Sequence, residues 1–109
     1  MNHVDKYYWV IDHPKLTNKY GTQPVIELTP HMVNPDNYTI TDDARLNTKS
    51  QWWIEVSVAN PNFDPKATSF SENSHEYMHD WNLDCGGDSA DDAVNMLYQL
   101  VLEHYGNYQ

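Results

Sequence analysis

One cysteine, four glycines and six basic residues among 109 leave the chain short of the groups from which small sites are most often built. Cys85 alone excludes an internal disulfide and supplies no cysteine pair for zinc. Basic side chains stop at Lys66, so residues 67–109 hold eight carboxylates and no Lys or Arg. A surface of that sign repels nucleic acid directly and favours a basic partner. It also keeps a protein in solution, and charge by itself does not separate the two roles. No N-terminal segment has the basic start and the roughly 7–15-residue apolar run of a signal peptide. No window approaches the roughly 20 apolar residues of a membrane span. A cytoplasmic chain without a membrane partner is the expectation. Leu, Ile, Val and Phe number only 21 against a net charge of −10, a balance that leans toward disorder. Eight Tyr and four Trp oppose it, since each large ring buries on the order of 150–250 Å². One domain over residues 1–109, with an aromatic-rich core, is expected.

The clearest local structure lies at the C-terminal end. Asp80–Cys85 reads as strand, Gly86-Gly87-Asp88 as a turn, and Ser89 as the N-cap of a helix over about residues 89–105. Asp91 and Asp92 put negative charge at the positive end of its dipole, and Gly106 follows the last turn. Ala93, Met96, Leu97, Leu100, Val101 and His104 recur at three- and four-residue steps and draw one apolar stripe. Upstream, Gln51–Ala59 alternates: Trp52, Ile54, Val56 and Val58 fall on one face, with Trp53, Glu55 and Ser57 on the other. Ser74–Cys85 alternates too, which predicts a strand with Tyr77, His79, Trp81, Leu83 and Cys85 inward and Glu76, Met78, Asp80, Asn82 and Asp84 facing water. Lys6–Ile11, rich in β-formers, and Pro24–Leu28 predict two further strands joined as a hairpin. Thr41–Leu46 has the residues of one helical turn, and Asn60–Ser74 reads as a long loop. The whole is α+β: a small antiparallel sheet of about four strands with the C-terminal helix packed across one face.

Three clusters carry candidate chemistry. His75-Glu76-Tyr77-Met78-His79 matches H-E-x-x-H, in which two His one helical turn apart hold zinc and the Glu is general base. That chemistry needs a helix, and the period-two flanks argue for a strand. A small zinc hydrolase using His75, Glu76 and His79 is therefore the alternative reading, and the residues otherwise call for no metal or cofactor. Glu72, Glu76, Asp80, Asp84, Asp88 and Asp92 recur at every fourth position, so they return to roughly one side of a strand or helix. Such a rail can occupy a groove whose Lys and Arg normally meet phosphates; the bland reading is a solvated face with capping acids. Asp84, Asp88, Asp91 and Asp92 also offer clustered oxygens to a hard cation, without EF-hand spacing. Cys85 precedes a helix start, but its acidic surroundings make it a small core residue, and His104 sits favourably at the helix end. Trp53, Phe63, Phe70, Tyr105 and Tyr108 have no place in the alternating patterns, and Tyr and Trp are enriched at the energetic centres of interfaces.

The run His79-Asp80-Trp81-Asn82-Leu83-Asp84-Cys85-Gly86-Gly87-Asp88, followed by an amphipathic helix ending His104-Tyr105-Gly106, resembles the C-terminal part of small acidic proteins of phages of Gram-positive bacteria. That group includes proteins of the anti-CRISPR type, inhibitors that occupy the nucleic-acid grooves of Cas9. The resemblance spans residues 79–106, rests on a structural turn and carries over no functional residue. It implies a non-enzymatic inhibitor acting in the bacterial host cytoplasm on a basic nucleic-acid-handling protein, a CRISPR effector nuclease above all, with no direct nucleic-acid binding. The expected partner-binding residues are Glu72, Glu76, Asp80, Asp84 and Asp88 for charge, with Trp53, Phe63 and Phe70 as anchors. A phage structural or assembly subunit is the third possibility.

Overall fold

The computed structural model describes residues 1–30, 52–66 and 76–108. Its organising element is the strand β2 (Trp52–Ala59), which is paired on both edges. Along one edge runs β1 (Val25–Pro30), antiparallel, with Val25 opposite Ser57 and Pro30 opposite Trp52. Along the other edge lie two short strands end to end, β3 (Tyr77–His79) and β4 (Cys85–Gly87), both antiparallel to β2. The alternation expected for 51–59 holds: Ile54 and Val56 are wholly buried, Trp52 and Val58 are packed against the core, and Glu55 is exposed.

The helix α2 (Ala90–Tyr105) covers the inner face of this sheet. Ser89 caps it as expected, its hydroxyl accepting the Asp92 N–H at 3.1 Å. Gly106 ends it at φ 80°, a backbone conformation that glycine adopts without cost. The buried arc is Ala93, Val94, Leu97, Leu100 and Val101; Met96 and His104, placed in the stripe by spacing, are exposed. The arc is rotated because a second helix packs against α2 and takes Val94 and Tyr98 with it.

That second helix corrects the sequence reading. Lys6–Ile11 is not a strand but part of α1 (His3–Ile11), so there is no hairpin with the next strand, and β1 pairs with β2 instead. Asn2 caps it, its side chain accepting the Asp5 N–H at 2.8 Å. Lys6, Trp9, Val10 and the following His13 stand at the i, i+3, i+4, i+7 spacing, and all four turn toward α2. The Lys6 ammonium reaches the Asn95 side-chain carbonyl at 3.1 Å and lies over Tyr98. β-propensity lost here to tertiary burial, as it commonly does. An aromatic cluster then ties the C-terminal tail back to α1. Trp9 stacks on Tyr108, whose hydroxyl donates to the Trp9 carbonyl at 2.8 Å, and meets Tyr98 edge-on. Buried His13 accepts the Lys15 N–H on Nδ1, so Nε2 carries its proton and donates to the Gly106 carbonyl at 2.8 Å. Tyr105 and Tyr108 are thus framework residues and not loose surface aromatics.

The stretch 74–85 is not one strand. Five residues, Asp80–Asp84, stand opposite two on β2, Glu55 and Val56, between the pairs His79–Ser57 and Cys85–Ile54. A 3₁₀ turn, Trp81–Leu83, takes up the three extra residues. Because three is odd, the side-chain faces exchange across it. Tyr77 and His79 share the outer face with Ala59 and Ser57, whereas Cys85 joins Ile54 in the core. Gly86-Gly87 is likewise strand and not turn. Its glycine has a packing reason: a methyl at Gly87 would stand 2.5 Å from the Ala93 backbone nitrogen and 2.8 Å from the Asp92 carbonyl carbon. Thr41–Leu46 lies outside the described residues, and the loop after Ala59 is described to Lys66. Among the described residues, no helix is long and apolar enough to cross a membrane.

Two substitutions test this packing. Gly87→Ala forces the start of α2 off the sheet and is expected to lower stability by about 1–3 kcal/mol in denaturant titrations. Ser89→Ala removes only the cap and should lower it by about 1 kcal/mol. A neutral Gly87→Ala would show that the helix does not rest on β4 as described.

Candidate partner-binding surface

The five-residue excursion between β3 and β4 is held by two carboxylates. Asp80 is 9% exposed and uses both oxygens: one accepts the Asn82 N–H at 3.1 Å, closing the 3₁₀ turn, and the other accepts the Tyr105 hydroxyl of α2. Its backbone N–H joins Val56 on β2 at 2.8 Å. Asp84, 7% exposed, accepts the His79 Nε2–H at 2.5 Å, which joins the two ends of the excursion. Leu83, between them, is fully buried in the core. Trp81 is sent the other way: it is 72% exposed and packs only one face, on the His79 ring at 4.0 Å between centroids.

Trp81 and His79 border the outer face of the sheet, over which no described helix lies. Glu27 and Glu55 are exposed cross-strand partners there. Side chains so paired have Cβ atoms about 4.5–5.5 Å apart, and like charges at that distance destabilise the pair. The indole N–H of Trp53, on the same face, donates to the Glu55 carboxylate at 3.2 Å. Farther along, Tyr77 meets Phe63 ring to ring at 5.8 Å. An aromatic rim around two facing carboxylates is the result.

The expected site residues are divided by this geometry. Trp53 and Phe63 lie on or beside the outer face, both half-buried. Glu76 is exposed just before β3, and Asp88 is exposed just before α2. Asp80 and Asp84 are corrected: they are buried and hydrogen-bonded, so the four-residue ladder is not a rail facing water. Glu72, Phe70 and His75 lie outside the described residues. Sequence reasoning missed Trp81, assigned to an inward row, and the Glu27–Glu55 pair, which only the register brings together.

Of the H-E-x-x-H motif, Glu76 and His79 are described, and neither lies on a helix. His79 ends a strand, not a helix, and its Nε2 is taken by Asp84. Ser57 stands across from His79, and the imidazole and the Asp84 carboxylate brace the two ends of the excursion. Among the described residues, no three His, Cys, Asp or Glu are grouped to hold a metal ion. Cys85 is buried against the Ala93 carbonyl, in keeping with a core residue. Asp91, offered above to a cation, pairs with His3 at 3.2 Å. No protein family matches the chain, and neither a curated protein nor a solved structure does so.

The Asp80–Tyr105 contact carries a pH signature. Burial first, then the hydrogen bond to Asp80 and its charge, push the Tyr105 hydroxyl from 10.0 up to about 12. Tyr108 is raised as well, by burial and then by the charge of Asp12. A folded state that holds a proton more tightly than the unfolded one gains stability that is complete below pH 10 and lost as pH rises toward about 12. Tyr105→Phe should therefore flatten part of the alkaline fall in stability, the rest belonging to Tyr108. At neutral pH it should cost about 1–3 kcal/mol, because Asp80 loses a partner while still buried. An unchanged alkaline slope in urea melts of Tyr105→Phe would disprove this coupling.

Proposed function

We propose that this chain is a non-enzymatic binding protein whose outer sheet face engages a basic, nucleic-acid-handling protein. A Cas9-type nuclease is the target class that the sequence resemblance implies. The observation that carries the reading is the presentation of Trp81. Two buried carboxylates and a three-residue insertion fix a loop that leaves one large ring outside, and such insertions re-aim side chains at functional edges. Trp is among the residues that most often dominate an interface when desolvated at its centre. Beside it, Glu27 and Glu55 repel each other until a cation is placed between them, so charge complementarity selects a basic partner. A net charge of −10 supports long-range attraction of such a partner. The charge acts through Glu27, Glu55, Glu76 and Asp88, with Trp81, Trp53 and Phe63 as apolar contacts. Asp80 and Asp84 act only by holding the loop.

The experiment is a titration of purified, guide-loaded Cas9-type nuclease with the chain. Affinity should fall as salt rises from about 50 to 200 mM, since screening weakens exposed charges. Trp81→Ala should weaken binding about thirtyfold, the ~2 kcal/mol of an interface hot spot, with an unchanged thermal midpoint because the ring is exposed. Glu27→Gln with Glu55→Gln should slow association and reduce the salt dependence. Binding that ignores both salt and Trp81, or none to this nuclease and to other basic nucleic-acid-binding proteins, overturns the reading.

A further inference from the structure

A second concave site lies away from the acidic face, at the end of the inner face. The turn Pro14–Leu16 and the loop behind it stand across from Val58, its cross-strand partner Met78, and Pro61, enclosing an open cleft of about 410 Å³. Its floor is apolar: Leu16 is buried, Val58 is half-buried and Met78 is 49% exposed. The side chains of Thr17 and Asn18 on the wall are already engaged. The Thr17 hydroxyl donates to the His13 carbonyl at 3.1 Å. The Asn18 amide donates to the Asn60 and Phe63 carbonyls, and its oxygen accepts from Tyr20 and Thr22 N–H groups. Lys15 and Lys19, two of only six basic residues in the chain, also line the cleft, the Lys19 ammonium lying over the Tyr20 ring at 5.2 Å from its centroid. Neither forms an ion pair with a carboxylate among the described residues. The backbone N–H of Lys15 is anchored on His13, so its position at the rim is set by the buried core.

We infer that this cleft binds a small amphipathic monoanion, an aliphatic carboxylate with its chain on Leu16, Val58 and Met78 and its head at Lys15 and Lys19. The volume is that of ordinary small-molecule sites, which combine apolar walls with a few orienting polar groups. A multiply charged phosphate is a poorer fit: such groups favour Arg forks or cradles of backbone N–H donors. Lysine offers a mobile point charge, which suits a single carboxylate.

Octanoate is the probe, titrated by calorimetry with chemical-shift mapping, and 1-octanol is the uncharged control. Saturable octanoate binding that perturbs Met78 and the two lysines is expected, with octanol weaker by at least about fivefold, the scale of two exposed charge contacts. Lys15→Gln with Lys19→Gln should remove that preference for the acid while leaving octanol unchanged. Met78→Trp should fill the cleft and block both ligands, and Trp81→Ala should affect neither, which separates this site from the acidic face. Absence of saturable binding, equal affinity for octanoate and octanol, or octanoate affinity unchanged by the lysine substitutions would overturn the inference.

Discussion

Everything described in this molecule takes its place from the burial of Ile54 and Val56 between a strand with partners on both edges and a helix. β2 has strand partners on both edges, and the Asp80 N–H of the excursion meets the Val56 carbonyl between β3 and β4. Its inner side chains then have one way to leave water, which is under α2. Leu97 and Val101 supply that cover and are themselves wholly buried. At about 1.5–3 kcal/mol for each fully buried aliphatic side chain, this small set weighs heavily in a domain with few aliphatics. The aromatic residues extend the core where Leu, Ile and Val run out. Trp9, Tyr98 and Tyr108 bind α1 to α2 and the tail, with His13 as the hydrogen-bonded keystone.

The same burial explains why the carboxylates after Lys66 are not equivalent. β3 and β4 must both pair with β2, yet the chain carries three residues too many to do so in one register. The surplus leaves the sheet as a turn, and a turn beside a core needs its polar groups satisfied. Asp80 and Asp84 meet that need from within, one toward Tyr105 and the other toward His79. Acidity that looks like one property of the sequence is therefore two: internal bracing at 80 and 84, and exposed charge at 76, 88, 91, 92 and 103.

What could be read in advance follows from this distinction. α2 was legible because its signals are local: a serine cap, first-turn acids, a spaced stripe and a terminal glycine. β2 was legible because strict alternation matches a strand with one buried face. α1 was not, because Tyr7-Tyr8-Trp9-Val10-Ile11 favours strand residue by residue. The competing signal, Asn2 as cap with Lys6, Trp9, Val10 and His13 on one arc, includes two polar residues that no apolar count would score. The alternation over 74–85 misled for a different reason. Period two is preserved in the sequence through the insertion, but the insertion itself reverses the faces, and its length appears only in the pairing with β2. Trp81 was thus placed inside and is outside. Of the candidate surface, Trp53 and Phe63 were anticipated, whereas the Glu27–Glu55 pair depends on a register between segments far apart in sequence.

Charge is also sorted by element, and the sorting bears on how the two proposed binding sites would coexist in a chain this small. Lys15 and Lys19 belong to the segment between α1 and β1, and no basic residue lies anywhere in 76–108. The exposed acids of that C-terminal segment therefore have no Lys or Arg of the same segment beside them, Asp91 meeting His3 of α1 instead. Among the described residues, no carboxylate pairs with Lys15 or Lys19, although folding alone would favour bringing charges of opposite sign together. Surface ion pairs contribute little to stability, about 0–1 kcal/mol, so keeping them apart costs the fold little.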